Sequence, residues 1–232
     1  MGTIIGGKFF DDYAVQFSGT SQSASKTTPT FGTDNAGALA LDITLPSPTT
    51  GNVLLSLGRT NTRQWALSLS SSGGNTCFEV TAYVGGALSA ICTTTPPTAG
   101  TRYRVVFGND SKIYIDGVGQ AVTPRAGASL LSGNKWFDDI TGAEAIIFRL
   151  AASRSNAAFA NVRINNLVYY SSALTPAEAT ADHNGGVAFD RRSNAGLAAK
   201  LVEFWRFDGN GNAEVNPANN LTAYGTPTYV AP

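Results

Sequence analysis

Histidine and methionine each occur once in this 232-residue chain and cysteine twice, which leaves little for metal or thiol chemistry. A zinc site is built mainly from clustered histidine and cysteine ligands, and a cysteine nucleophile is activated by a neighbouring base or cation such as His or Lys. His183 with Cys77 and Cys92 meets neither requirement. Charge is equally scarce: 14% of residues carry it, and sixteen Lys plus Arg balance sixteen Asp plus Glu to a formal net charge of zero. No stretch concentrates enough basic residues to follow a phosphate backbone, so nucleic acid is excluded as an expected partner. No run of eighteen apolar residues occurs, so no membrane-spanning helix is expected. The opening "MGTIIGGKFFDDY" lacks a basic n-region and an apolar h-region, and Gly6 stands where a myristoylation signal wants Ser or Thr. The expectation is a protein with no signal peptide and no membrane partner.

What the chain has is turn chemistry and alternation. Twenty-five glycines and 43% hydrophobic residues describe a packed domain of short strands joined by tight turns. Period-two alternation recurs in "YAVQFSG" (13–19), "GALALDITL" (37–45), "NVLLSLGR" (52–59) and "QWALSLSS" (64–71). "RYRVVFGNDSKIYIDGVGQ" reads as a hairpin, with Tyr103, Val105 and Phe107 facing Ile113 and Ile115 across a "GND" turn. "AIIFRLAAS" and "ANVRINNLVYYS" read as two further strands. Closely spaced strands without intervening helices predict an all-β, two-sheet antiparallel sandwich or jelly roll.

"CFEVTAYVGGALSAIC" predicts another hairpin. A turn centred between Val84 and Gly85 would set Cys77 and Cys92 directly opposite each other, making a disulfide geometrically possible; the alternative is two small core residues. One helix is predicted, near 175–184: Thr175 as N-cap, Pro176 at the first helical position, Glu178 completing a capping box, Gly185 ending it, and Leu174 and Ala177 holding it to the sandwich. His183 then sits at the helix C-terminus, where the dipole favours it.

Three sets of residues are candidates for a site. Asp208, Asn210 and Asn212 in "DGNGN" alternate in a way that can direct oxygens to one calcium ion, or can simply make a turn; Asn109 and Asp110, or Asp138 and Asp139, could add ligands. Trp136 in the polar loop "SGNKWFDDITG", with Asp138 and Asp139 beside it, is the candidate carbohydrate platform, or a loop anchor, whereas Trp65 and Trp205 lie in alternating strands and read as core. Glu203, Asp208 and Glu214 lack the same-face spacing of a paired-carboxylate glycosidase, so no catalytic residue is expected.

The segments "YAVQFSGTSQSAS", "TRYRVVFGNDSKIYIDGV" and "VRINNLVYYSSALTPAEATADHNGG", in that order, resemble the first strand, middle hairpin and closing strand-plus-helix of concanavalin A-like, laminin-G-type jelly rolls. In that family a strand like "LVEFWRFDGNGNAEVNPANNLTAYG" usually opens the domain; here it comes last. The resemblance implies an arm at 1–10, then one domain over 11–232 in which 201–230 supplies a strand, to its own sandwich by circular permutation or to a neighbouring subunit. It further implies a non-enzymatic bacteriophage virion protein, made in the host cytoplasm and carried on the virion surface as a capsid decoration protein. Its partners would be the major capsid or other virion proteins, further copies of itself, or a surface glycan; the alternatives are a tail or adsorption protein and a lectin-type carbohydrate-binding module.

Overall fold

The computed structural model describes residues 3–5, 8–10 and 13–230, apart from 61, 73, 85, 86, 126–135 and 188, with the backbone alone for 3–5 and 8–10. Strands β1 (Thr3–Ile5) and β2 (Lys8–Phe10) pair only with each other, in the segment expected to be an arm. The first half of the domain contains β3 (Ala14–Ser18), β4 (Ser23–Thr27), β5 (Ala38–Thr44), β6 (Val53–Thr60), β7 (Arg63–Ser72), β8 (Asn75–Val84) and β9 (Ala87–Thr93). Then follow β10 (Arg102–Gly108), β11 (Ile113–Ile115), β12 (Val118–Gly119), β13 (Val122–Pro124), β14 (Ile147–Leu150) and β15 (Asn161–Tyr170). Helices α1 (Pro176–His183) and α2 (Ala195–Ala198) precede β16 (Leu201–Trp205), β17 (Thr222–Tyr224) and β18 (Thr228–Val230).

These strands build two antiparallel sheets, a jelly-roll sandwich as the alternation predicts. The front sheet runs β12-β11-β10-β5-β15-β3-β18, with β16 also paired to β15; the back sheet runs β13-β9-β8-β7-β6-β14-β4-β17. Between them lies one apolar layer. Leu39, Leu41, Ile43, Val105 and Phe107 of the front sheet meet Leu55, Leu57, Trp65, Leu67 and Phe148 of the back sheet, all essentially inaccessible to water. Each such side chain contributes roughly 1.5–3 kcal/mol on burial.

The front sheet is also covered on its outer side. Leu174, Ala179 and Leu197 from the segment 171–200 pack on Ala38, Ala40, Val106, Tyr114, Val168, Tyr170 and Phe204. Residues 38–43 of β5 are therefore buried on both faces. Helix α1 has the predicted start: Thr175 Oγ1 accepts from the Glu178 N–H and the Glu178 carboxylate accepts from the Thr175 N–H. Its inward residues are Ala179 and Asp182, three apart on one helix face, whereas Ala177, expected at that contact, is exposed.

The tail supplies three strands rather than one, all within the same chain. β16 pairs with Leu167–Tyr170 of β15, while β3 pairs with Asn161–Ile164, so first and late strands follow one another along β15. β17 pairs with β4 at the edge of the back sheet and β18 with β3 at the edge of the front sheet. Phe204, Trp205 and Phe207 are buried. The Glu203 carboxylate, fully buried, accepts from the N–H groups of Phe204, Val215 and Asn216 and from Asn219 Nδ2, at 2.9 to 3.0 Å.

Candidate functional site

The helical cover stops short of one end of the front sheet. There a cleft of about 160 Å³ opens between the sheet and the C-terminal end of α1, lined by Asp42, Arg102, Arg104, Asp116, His183, Gly186, Val187 and Arg191. Its floor is a cross-strand row on the outer face, Arg104 of β10 opposite Asp42 of β5 opposite Asn166 of β15. A bulge in β15 between Ile164 and Asn166 makes this row possible, because the extra residue switches the alternation and turns Asn166 outward while Leu167 and Tyr169 face the core.

Below the cleft lies a buried ionic network. Asp182 Oδ2 accepts from Arg104 Nε at 2.6 Å, and Asp182 Oδ1 accepts from Arg104 Nη2 at 2.9 Å, from Arg191 Nε at 3.2 Å and from the Tyr170 hydroxyl. Arg104 Nη1 also donates to Asn166 Oδ1, whose amide donates to Asp42 Oδ2 at 3.3 Å. Asp42 in turn accepts both Nε and Nη2 of Arg102, with Nε at 2.6 Å. Burial alone would raise the Asp182 carboxyl, but the adjoining Arg104 and Arg191 guanidiniums outweigh it and hold the group well below the usual carboxylate range.

The wall is fixed by an Asp-Gly turn. Asp116 and Gly117 join β11 to β12 with φ of 52° and 77°, the left-handed pair that a two-residue type I′ hairpin requires. A β-carbon at Gly117 would lie 2.9 Å from the Thr180 Cα, so glycine also admits α1 against the turn. Asp116 Oδ1 accepts from the Arg104 N–H at 2.7 Å, which locks its carboxylate at the rim. Opposite, His183 Nδ1 is buried, has no hydrogen-bond partner and lies 3.8 Å from Asp116 Oδ1. The mouth thus carries an anchored carboxylate, the half-exposed Arg102 and the apolar Val187, with the His183 ring in its wall.

The residues singled out from sequence lie elsewhere. Trp136 is fully buried, stacked on Phe137 at 4.2 Å, and its Nε1 donates to the Tyr169 hydroxyl at 3.2 Å; it plugs the sandwich and is no platform. Its loop is polar because a 3₁₀ turn must be capped: Asp139 Oδ2 accepts from the Trp136 N–H at 3.0 Å, while Asp138 is exposed. Trp65 and Trp205 are core, as alternation predicts. Asp208 pairs with Arg206 at 3.1 Å and Asn210 Oδ1 accepts from the Asn212 N–H at 2.7 Å, so two of the trio's side chains serve an ion pair and a turn. Among the described residues no three His, Cys, Asp or Glu side chains are grouped to hold a metal.

Cys77 and Cys92 are buried free thiols, and their predicted opposition is corrected by the register. β8 ends at Val84 and β9 starts at Ala87, so the turn lies one residue later than expected and Cys92 faces Glu79. Burial pushes both thiols up. Both should therefore resist a thiol reagent in the native protein and react together once urea unfolds it; rapid native labelling would contradict this burial.

Sequence reasoning missed Asp42, Arg102, Arg104, Asp116 and Asp182. A signal for three of them was present: "ALALDI" and "TRYRVVF" place charges at the outward positions of strands whose inward residues are apolar. Their convergence with α1, about 80 residues beyond Arg104 and about 140 beyond Asp42, was not visible.

Neither a protein-family model nor a curated protein matches the chain. Solved structures do. The chain is similar to a heptameric SAP-like pentraxin from Limulus polyphemus, at TM-score 0.60 and 12% identity over 95% of both chains. It is similar to a putative carbohydrate binding protein from Bacteroides ovatus, at TM-score 0.59 and 16% identity, over 96% of this chain and 60% of that one. It is also similar to the CBM40 domain of a Ruminococcus gnavus IT-sialidase bound to α2,3 sialyllactose, at TM-score 0.53 and 17% identity, over 72% of this chain and 97% of that one. At these identities the likeness shows the jelly-roll fold.

Proposed function

We propose that the protein is a non-catalytic, lectin-type carbohydrate-binding β-sandwich, with a ligand seat in the cleft of Asp42, Arg102, Asp116 and His183. The carrying observation is preorganisation: Asp42 and Asp116 are each held by hydrogen bonds before any ligand arrives, with donors and acceptors mixed around one small opening. Adjacent sugar hydroxyls match planar carboxylates and guanidiniums, and Val187, 58% exposed, offers an apolar contact for a C–H face. The cleft is small beside the roughly 300–1,000 Å³ of enclosed ligand pockets, so it suits one residue or the end of a glycan chain. Of the similar folds, one is described as a putative carbohydrate binding protein and another was solved with α2,3 sialyllactose bound.

The test is glycan-array screening of the full chain followed by calorimetry. Asp116→Asn, which keeps the turn conformation and an acceptor for the Arg104 N–H but removes the charge, and Arg102→Ala are expected to weaken binding about tenfold, the value of a charge-assisted hydrogen bond, with the circular-dichroism melt still cooperative. Binding untouched by both substitutions, or no glycan retained at all, would reject this seat. The virion-decoration reading is supported by the "LTPAEA" and "FWRFD" resemblance, and co-sedimentation with assembled heads tests it.

A further inference from the structure

Next to the cleft, the outer face of the front sheet carries a second cross-strand row. Arg102 of β10 pairs with Thr44 of β5, Thr44 with Arg163 of β15, Arg163 with Gln16 of β3 and Gln16 with Thr228 of β18, so five polar side chains stand side by side across five strands. The next residue in each strand, Tyr103, Ile43, Val162, Val15 and Tyr229, packs into the core between the sheets. Alternation therefore turns the whole row outward.

The row lies at the foot of a step. Two residues along the same strands, Arg104, Asp42 and Ala14 also face outward but are 4%, 7% and 0% exposed, whereas Arg102 and Thr228 are exposed and Thr44, Arg163 and Gln16 are half-buried. The closed part of the outer face thus ends between these two rows. Arg102 belongs to both features, because it lines the cleft and begins the open row. Gln16 is held in place: its Nε2 donates to the Phe17 carbonyl at 2.8 Å and to Asn161 Oδ1 at 3.1 Å, which leaves Oε1 as an acceptor. The Thr44 and Thr228 hydroxyls have no side-chain hydrogen bond within the described residues. Hydroxyls that donate or accept, a fixed amide oxygen and two guanidiniums make a strip that complements sugar hydroxyls. With strands about 4.8 Å apart, the strip is about 19 Å long, more than the single residue admitted by the cleft.

We propose that this row is an extended subsite for the body of a glycan chain whose terminal residue sits in the cleft. The proposal rests on the carbohydrate-binding reading of the cleft and names its ligand class: an oligosaccharide held by one end and laid across the strands, in place of a free monosaccharide. Arg102 marks the junction, and Thr44, Arg163, Gln16 and Thr228 contact the following residues of the chain.

Calorimetric titration of the full chain with the mono-, di- and tetrasaccharides of β1,4-linked glucose, galactose, mannose and N-acetylglucosamine tests the proposal. Within a series that binds, the tetrasaccharide should bind at least about tenfold more tightly than the monosaccharide, since the row adds two or more hydrogen bonds. Thr44→Val and Gln16→Ala should each lower the ratio of tetrasaccharide to monosaccharide affinity severalfold, whereas Asp116→Asn should weaken both ligands alike. Thr228→Val lies on an edge strand and should lower the same ratio even if Gln16→Ala disturbs β3. An affinity independent of chain length, or a ratio indifferent to all three row substitutions, would overturn the extended subsite and leave the cleft seat standing. Failure of every sugar at every length would remove seat and row together.

Discussion

Asp182→Ala is expected to lower the free energy of unfolding by about 3–5 kcal/mol, the cost of stripping one partner from a buried ion pair. The substitution strands Arg104 and Arg191, whose side chains are 4% and 2% exposed, and removes the acceptor of the Tyr170 hydroxyl. Urea unfolding at neutral pH measures it; a loss under about 1 kcal/mol would show that water reaches the network and replaces the carboxylate. The same group predicts the acid limb of stability. Its carboxyl is held below the ordinary range in the folded protein, so its contribution is complete above an unfolded value near pH 4 and drains away as pH falls below that. Asp182→Asn should therefore flatten the acid-side slope. At the alkaline end burial raises the Tyr169 and Tyr170 phenols, so their contribution is intact below about pH 10 and declines as pH rises beyond it.

Removal of residues 201–232 should have a still larger effect, leaving a chain that is insoluble or rapidly proteolysed. It takes away β16, β17 and β18 together, and with them edge partners in both sheets and the buried Phe204, Trp205 and Phe207. Three aromatic side chains are each worth about 3–5 kcal/mol when truncated in a core, against a net stability of about 5–15 kcal/mol for a whole domain. A truncated chain that still unfolds cooperatively would show the tail to be an appendage. A finer probe is Glu203→Ala, which leaves three backbone N–H groups and the Asn219 amide without their acceptor. It should destabilise the protein by several kcal/mol at about 1–3 kcal/mol per orphaned group.

Alternation by itself determined the strands, since successive strand residues point to opposite faces and the larger apolar side chains recur on one of them: "ALALDIT", "QWALSLSS" and "RYRVVFG" became β5, β7 and β10. Local chemistry likewise determined α1, because a capping box acts within three residues, and the aromatic core of Trp65 and Trp205. Tertiary structure decided what depends on distant partners. The polar loop around Trp136 left platform and loop anchor both open, and the fold decides for the anchor by turning the ring inward onto Phe137 and Tyr169. Cys77 and Cys92 were displaced from opposition by a one-residue difference in turn position, which moves a hairpin register by two. The cleft needed most from the third dimension. Asp42, Arg102, Asp116 and His183 come from four separate elements, and only the β15 bulge and the close approach of α1 at Gly117 bring them to one opening, because a bulge and a helix docking distance are set by packing between segments and leave no period in the sequence.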